Sequence, residues 1–327
     1  MATYRNLILM ALILTFGVVS LGAYVRLSDA GLGCPDWPGC YGKLTPHHAA
    51  EAINAELSER PDGAVTHAKA WKEMIHRYFA GTLGLLILAI VILAWRNRRE
   101  TRAGMGLPIL LLGLIVFQSL LGMWTVTQLL KPLIVSAHLL GGMATLSLLL
   151  WMWLKERNRN AHAYYARVDH LRFGALLGLV LVVVQIALGG WVSTNYAALA
   201  CTDFPLCQAE WVPAMDFEHS FTLHRELGET ASGALLPLTA LTAIHWVHRL
   251  MALILTLYLV WLALRLFRTP GFAGMGLMIC LALALQVTLG ISNVLLSLPL
   301  ALAVAHNAGA ALLLSSLVML NHRVRRR

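Results

Sequence analysis

The chain has 327 residues, of which 58% are hydrophobic and only 13% charged, and its mean hydropathy is +0.70. Soluble globular proteins hold about 45–50% apolar and about 25% charged residues, so a cytosolic enzyme is all but excluded. The length is better counted in membrane spans of about 20 apolar residues, and the formal charge of +9 suggests nucleic acid only until its placement is considered.

Eight apolar runs follow in chain order: Leu7–Val25, Met74–Trp95, Met105–Val126, Pro132–Leu154, Phe173–Val192, Ala243–Leu266, Gly271–Leu296 and Pro299–Leu320. The first is too long for a signal-peptide core and has no small-residue cleavage pattern, so it reads as a retained span with no transit segment ahead of it. One set of connections holds Arg5, Arg96, Arg98, Arg99, Arg102, Lys155, Arg157, Arg159, Arg167, Arg172, Arg265, Arg268, Arg323, Arg325, Arg326 and Arg327. Only Glu100, Glu156 and Asp169 oppose them there. By the bias of Lys and Arg toward cytoplasmic loops, that side and both termini are expected in the cytoplasm, which makes the basic charge a topology signal and removes nucleic acid as a partner. Two long loops, at about 26–73 and 193–242, then face outward, and stretches near Ala49–Leu57 and Phe217–Leu227 read as interfacial helices.

The two loops begin alike. Cys34-Pro-Asp-Trp-Pro-Gly-Cys40 and Cys201-Thr-Asp-Phe-Pro-Leu-Cys207 share a C-x-D-aromatic-P-x-C pattern at an offset of 167. Leu21, Gly22 and Val25 match Leu188, Gly189 and Val192, while Gln118-x-x-Leu121-Gly122 matches Gln286-x-x-Leu289-Gly290 at an offset of 168. The expected fold is an all-α integral membrane protein of eight transmembrane helices, built as two four-helix bundles, 1–158 and 159–327. Because four spans is an even number, the halves enter the membrane in the same direction. The repeat is then parallel, with its pseudo-twofold axis along the membrane normal.

Of thirteen histidines, His76, His138, His245, His248 and His306 lie in or at the mouth of spans. His76-Arg77 corresponds to His248-Arg249, and His138 to His306, so each half carries one histidine on its second span and one on its fourth. All four stand within two or three turns of the outward end. An ionisable residue in a span is costly and points to function, against the plainer reading of a histidine bonded to a neighbouring helix. Two facing imidazoles from antiparallel helices of a bundle suit a planar iron porphyrin. Copper or zinc wants three or four ligands, and covalent haem attachment lacks its C-x-x-C-H. Arg77 and Arg249 are placed either to pair with haem propionates or to snorkel to the interface.

The halves differ at one telling place. Glu73 precedes His76 by three residues, on the same helical face, whereas His245 holds the matching place before His248. A carboxylate there can take a proton or orient water; as a residue at a helix start it would also be favoured by the macrodipole alone. Cys34 with Cys40, and Cys201 with Cys207, are expected to form disulfides in an oxidising compartment, the second pair as a staple and the first with a redox role left open. Cys280 reads as apolar filler.

Taken together, Gly22-Ala-Tyr-Val25-Arg26-Leu-Ser28-Asp-Ala-Gly31-Leu-Gly33-Cys34-Pro35-Asp36-Trp37-Pro38, Glu73-Met-Ile-His76-Arg77, Gln118-Ser-Leu-Leu-Gly122, His138, His248-Arg249 and His306 resemble the haem A synthase family. The resemblance covers all eight spans, and cysteine pairs in both outward loops are similar to its proteobacterial branch. It implies oxidation of the C8 methyl group of haem O to a formyl group through a hydroxymethyl intermediate, for cytochrome oxidase. It further implies that His76 and His138, with Arg77, flank the substrate haem in the first half, that His248 and His306, with Arg249, ligate a haem b cofactor in the second, and that Glu73 is the catalytic carboxylate. The family implies a haem O synthase (farnesyltransferase) and oxidase assembly factors as neighbours, membrane lipid as surroundings and a bacterial inner-membrane location. A homo-oligomer stays open.

A bis-histidine haem has no open position for O₂ and so moves electrons. The rival reading is a membrane dihaem cytochrome b that exchanges electrons with quinone. It needs two permanently held haems, whereas an enzyme needs one held and one exchanged, and Glu73 against His245 favours the enzyme. A proton-coupled transporter would place carboxylates near the bilayer midplane, where the spans hold none.

Overall fold

In the computed structural model, residues 2–101, 104–157 and 168–325 are described. Arg102, Arg159, Arg167, Arg326, Arg327 and the boundary between the halves at 158–159 lie outside them. Helices dominate: α1 (Ala2–Leu27), α2 (Ala50–Glu59), α3 (His67–Arg96), α4 (Gly106–Thr127), α5 (Pro132–Arg157), α6 (Asp169–Thr194), α7 (Phe217–Ser220), α8 (Leu238–Phe267), α9 (Ala273–Leu295) and α10 (Leu300–Val324), with a 3₁₀ turn at Ala197–Leu199. Eight of them are long and apolar enough to cross a membrane, in the places the apolar runs predict. Ile13, Leu85, Phe173, Leu257 and Leu281 point away from the packed interior, as side chains bathed in lipid do.

Two span ends differ from expectation in a way that matters. The third helix starts at His67, seven residues ahead of the apolar run, because Thr66 caps it by accepting from the Lys69 amide at 3.2 Å and because Ala70 and Met74 pack beneath the first cysteine loop. Hydropathy does not register these first two, more polar turns. The stretch at Phe217–Leu227 is helical only over Phe217–Ser220, since Ser220 Oγ donates to the carbonyls of Asp216 and Ala240 and its own carbonyl accepts from Trp191 Nε1 at 2.9 Å. The loop is thereby pinned to α6 and α8 rather than laid along an interface.

Packing closes two rings of helices. α1 packs on α3, α3 on α4, α4 on α5 and α5 back on α1; in the same manner α6 packs on α8, α8 on α9, α9 on α10 and α10 on α6. The second and fourth spans of each half are therefore diagonal partners. They run parallel rather than antiparallel, because two reversals of the chain separate them. The halves meet through α1, α5, α6 and α10, with α5 touching both α6 and α10. Matching turns recur: Leu129 and Leu130 take positive φ and the Leu130 amide donates to Thr125 O at 2.8 Å, while Ser297 and Leu298 take positive φ and the Leu298 amide donates to Asn293 O at 2.7 Å.

At the cysteine-loop end of the joint, Arg26 of the first half donates to Ser193 O at 2.8 Å, at the carbonyl end of α6, and lies 4.1 Å from the Tyr196 ring centroid. The Tyr196 hydroxyl donates to Asp29 Oδ1 at 2.8 Å. A cation there satisfies orphan helix carbonyls and the negative end of the helix dipole together. Arg26→Ala is expected to weaken the joint by about 1.5–3 kcal/mol, seen as a lower unfolding temperature in detergent. An unchanged temperature would mean that apolar helix packing alone joins the halves.

Candidate functional site

Each half brings its two histidines to diagonal helices at the end that carries the cysteine loops. His76 on α3 and His138 on α5 serve the first half, and His248 on α8 and His306 on α10 the second. Every one of them lies beside a glycine of a flanking helix. A β-carbon would stand 3.0 Å from His76 Cε1 if placed at Gly22, 3.4 Å from His138 Cε1 at Gly122, 3.1 Å from His248 Cε1 at Gly189 and 3.0 Å from His306 Cε1 at Gly290. Apart from the Gly122 contact, these are tighter than the imidazoles tolerate without moving, so the glycines are the clearance that lets the rings sit inside the bundles.

The polar atoms of these rings are largely unspent. Nδ1 of His76, His138 and His306 is buried with no hydrogen-bond partner, so these rings are not tied to a neighbouring helix through that nitrogen. No cluster of three or more His, Cys, Asp or Glu that could hold a bare cation occurs among the described residues. Two imidazoles per half, glycine clearance and apolar surroundings fit one planar metal porphyrin per half better than copper or zinc.

Above each outer histidine sits a folded cysteine loop. Disulfides join Cys34 to Cys40 and Cys201 to Cys207, and these four cysteines are fully or almost fully buried. Asp36 accepts from the Tyr41 and Gly42 amides at 2.7 and 2.6 Å, and Asp203 from the Gln208 and Ala209 amides at 2.8 Å each. The Ala209 amide, helped by that of Gln208, holds the Asp203 carboxyl below its ordinary range. Gly33 lets the first loop lie on α3, since a β-carbon there would fall 2.5 Å from the Lys69 carbonyl carbon.

The arginines clamp these loops. Arg77 Nη1 donates to the carbonyls of Asp36 at 2.8 Å and Gly39 at 2.6 Å, and Arg249 donates to those of Asp203 at 2.9 Å, Leu206 at 2.8 Å and Cys201 at 2.8 Å. The guanidiniums are thus bound to backbone oxygens of their own loops. Spacing alone could not reveal it, because the acceptors are main-chain atoms some 40 residues away.

Glu73 and His245 complete the two clamps differently. Glu73, only 4% exposed, pairs through Oε1 with Arg77 and accepts the Cys34 amide on Oε2 at 2.9 Å. Since α3 begins six residues earlier, the helix dipole of a first turn does not account for it. In the second half His245 Nε2 accepts from Arg249 Nε at 3.2 Å. One carboxylate thus links the histidine helix, the arginine and the disulfide loop in the first half, and a neutral-capable ring takes its place in the second.

Glutamines escaped the sequence reading as site residues. Gln118 and Gln286 lie against Gly141 and Gly309, where any β-carbon would overlap their amides, and Gln286 Nε2 is 3.3 Å from His306 Nε2. Gln185 Nε2 is 3.1 Å from His248 Nδ1. The first two were visible as repeat matches; Gln185 has no counterpart and so gave no signal.

The Arg77–Glu73 pair yields a sharp test. Arg77→Leu strands a buried carboxylate and should cost about 3–5 kcal/mol, whereas adding Glu73→Gln should restore part of it. Unfolding of the two single variants and the double variant measures the coupling, and additive losses would deny that the pair acts as a unit.

Comparison with known proteins agrees with this architecture. Residues 5–318 match the COX15-CtaA family, described as cytochrome oxidase assembly protein. The chain is 44% identical over 316 residues to the Heme A synthase of Shewanella oneidensis, covering 97% of this chain and 95% of that one. It is 30% identical over 247 residues to the Heme A synthase of Hyphomonas neptunium, covering 68% and 66%, and 27% identical over 217 residues to that of Shouchella clausii, covering 64% and 66%. With a family match spanning almost every helix and clamp described above, the chain belongs to the COX15-CtaA family of cytochrome oxidase assembly proteins.

Proposed function

We propose that this chain is an oxidoreductase acting on a CH group, a haem A synthase that converts the C8 methyl of haem O through hydroxymethyl to formyl. The observation that carries the reading is the duplicated pair of diagonal histidines with a carboxylate beside one pair only, in a chain 44% identical to a Heme A synthase. The halves, 1–158 and 159–327, divide the work as substrate site and cofactor site. Their relation is a parallel repeat with its axis along the membrane normal. The bond between Tyr196 and Asp29, residues at matching places 167 apart, supports it.

His76 and His138 hold the substrate haem across the first bundle, and Gly22 and Gly122 keep their rings free of the flanking helices. His248 and His306 hold haem b in the second bundle, where it supplies one-electron transfer when bound. Methyl plus water gives hydroxymethyl with release of two electrons and two protons, and hydroxymethyl gives formyl with release of two more of each, the electrons going to an oxidant outside this chain. Glu73 accepts a proton. Its carboxylate has about four lone-pair sites, and the Cys34 amide and Arg77 occupy two of them, so it stays oriented and still able to receive one. The Cys34–Cys40 loop, tied to Glu73 through that amide, covers the reacting side of the site. Arg77 and Arg249 act on the loops.

The site lies toward the periplasm of a bacterial inner membrane, with both termini in the cytoplasm. Buried disulfides on one side and Arg96, Arg98, Lys155, Arg265 and Arg325 on the other support this orientation. Haem O synthase and oxidase assembly factors are its expected neighbours.

Expression in a host that makes haem O but lacks its own haem A synthase tests the reading by extraction of non-covalent haems. The wild-type chain should yield haem A beside haem b. Glu73→Gln should lower haem A formation at least about 100-fold while leaving haem b in place. Two haem b per chain and no haem A would identify the electron-transfer cytochrome instead. A Cys34→Ala, Cys40→Ala double variant with normal turnover would remove the loop from the mechanism.

A further inference from the structure

The two bundles are alike at every glycine that faces a histidine, so what makes one keep its haem and the other exchange it must lie elsewhere. Gln118 and Gln286 are the same residue at matching places, although the Gln286 amide nitrogen stands 3.3 Å from His306 Nε2 and that of Gln118 has no partner. His245 differs from Glu73 but is bonded to Arg249. A third difference bears directly on a histidine ring.

On α6, Gly189 clears His248, and one turn earlier Gln185 grips it. The amide nitrogen of Gln185 is 3.1 Å from His248 Nδ1 and 3.4 Å from Nε2, and it donates to the His248 carbonyl at 3.1 Å. On α1, Gly22 clears His76 in the same manner, but the residue one turn earlier is Val18. Correspondingly Nδ1 of His76 is buried without a partner, as are those of His138 and His306; His248 alone of the four has a side chain on that nitrogen.

We propose that Gln185 is a positioning residue for His248 that makes the second half retain its haem, and that Val18 at the matching place leaves the first half able to release its own. The inference rests on the haem assignment under Proposed function and deepens it. A histidine that binds metal through Nε2 carries its proton on Nδ1, and an acceptor there fixes the ring and strengthens its donation to the metal. Gln185 Oε1 is buried with no partner, and a half-turn of the amide gives up the bond to the His248 carbonyl in exchange for an acceptor at Nδ1, without moving the backbone. Valine offers none. A substrate haem held by two such ungripped rings is easier to replace after turnover than a cofactor held by one gripped ring.

The test uses the full-length protein purified with its haems. Gln185→Met removes the hydrogen bond at similar volume, and transfer of haem b to excess apomyoglobin should become at least about 10-fold faster. The midpoint potential of haem b should rise, since a less electron-rich imidazole favours ferrous iron. Gln185→Glu, which keeps an acceptor, should restore slow release, a rescue that a purely space-filling role would not produce. Val18→Gln should slow release of the farnesylated haem, followed separately by its pyridine spectrum. Unchanged release and potential in Gln185→Met overturn the proposal. Should that variant not fold, Val18→Gln decides, and unchanged release of the farnesylated haem overturns it. His248→Ala serves as the control: if it removes no haem b, the site assignment itself falls and the inference with it, an outcome distinct from failure of Gln185 alone.

Discussion

A partly buried guanidinium at the mouth of each bundle is the interaction on which the cysteine-loop face depends. Such a cation is tolerated only when its donors are met, and in both halves they are met by carbonyls of the cysteine loop, at Asp36 and Gly39 for Arg77 and at Cys201, Asp203 and Leu206 for Arg249. Because each arginine directly follows the outer histidine, the same bond that folds the loop also fixes the height of the imidazole beneath it. Disulfide, Asp-closed turn and arginine clamp then form one unit above each histidine pair.

On that shared frame, function resides in what duplication did not preserve. Glu73 gives the first clamp a carboxylate bonded to the disulfide loop, and His245 gives the second a ring that accepts from its arginine without adding negative charge. Gln185 against Val18 changes how firmly a histidine is held. On the proposed reading, a proton acceptor beside one ring and a firmer grip on the other are what distinguish a reacting haem from a relay.

Much of the fold was legible from the sequence because membrane spans are dictated by backbone hydrogen bonding in lipid, which leaves only long apolar helices. The repeat alone places four histidines at one depth. What stayed hidden was polar and local. The first two turns of α3 read as loop by hydropathy, although they pack Ala70 under the cysteine loop and carry Glu73 well inside the helix. Phe217–Leu227 reads as amphipathic, yet Ser220 and Trp191 turn it into an anchor after one turn. The arginine acceptors are backbone atoms that no pattern records. Gln185 was invisible for a further reason: comparing halves draws attention to matches, and this residue matters because it has none.

The central claim is that one chain holds two haems of unequal permanence, one in each histidine pair. It is tested most directly by presenting ⁵⁷Fe-labelled haem O to the purified protein and following which extracted haems carry the label as haem A forms. The account predicts label in the farnesylated haems and natural-abundance iron in haem b. Label spreading equally into haem b, or appearing in neither haem while haem A accumulates, would contradict it.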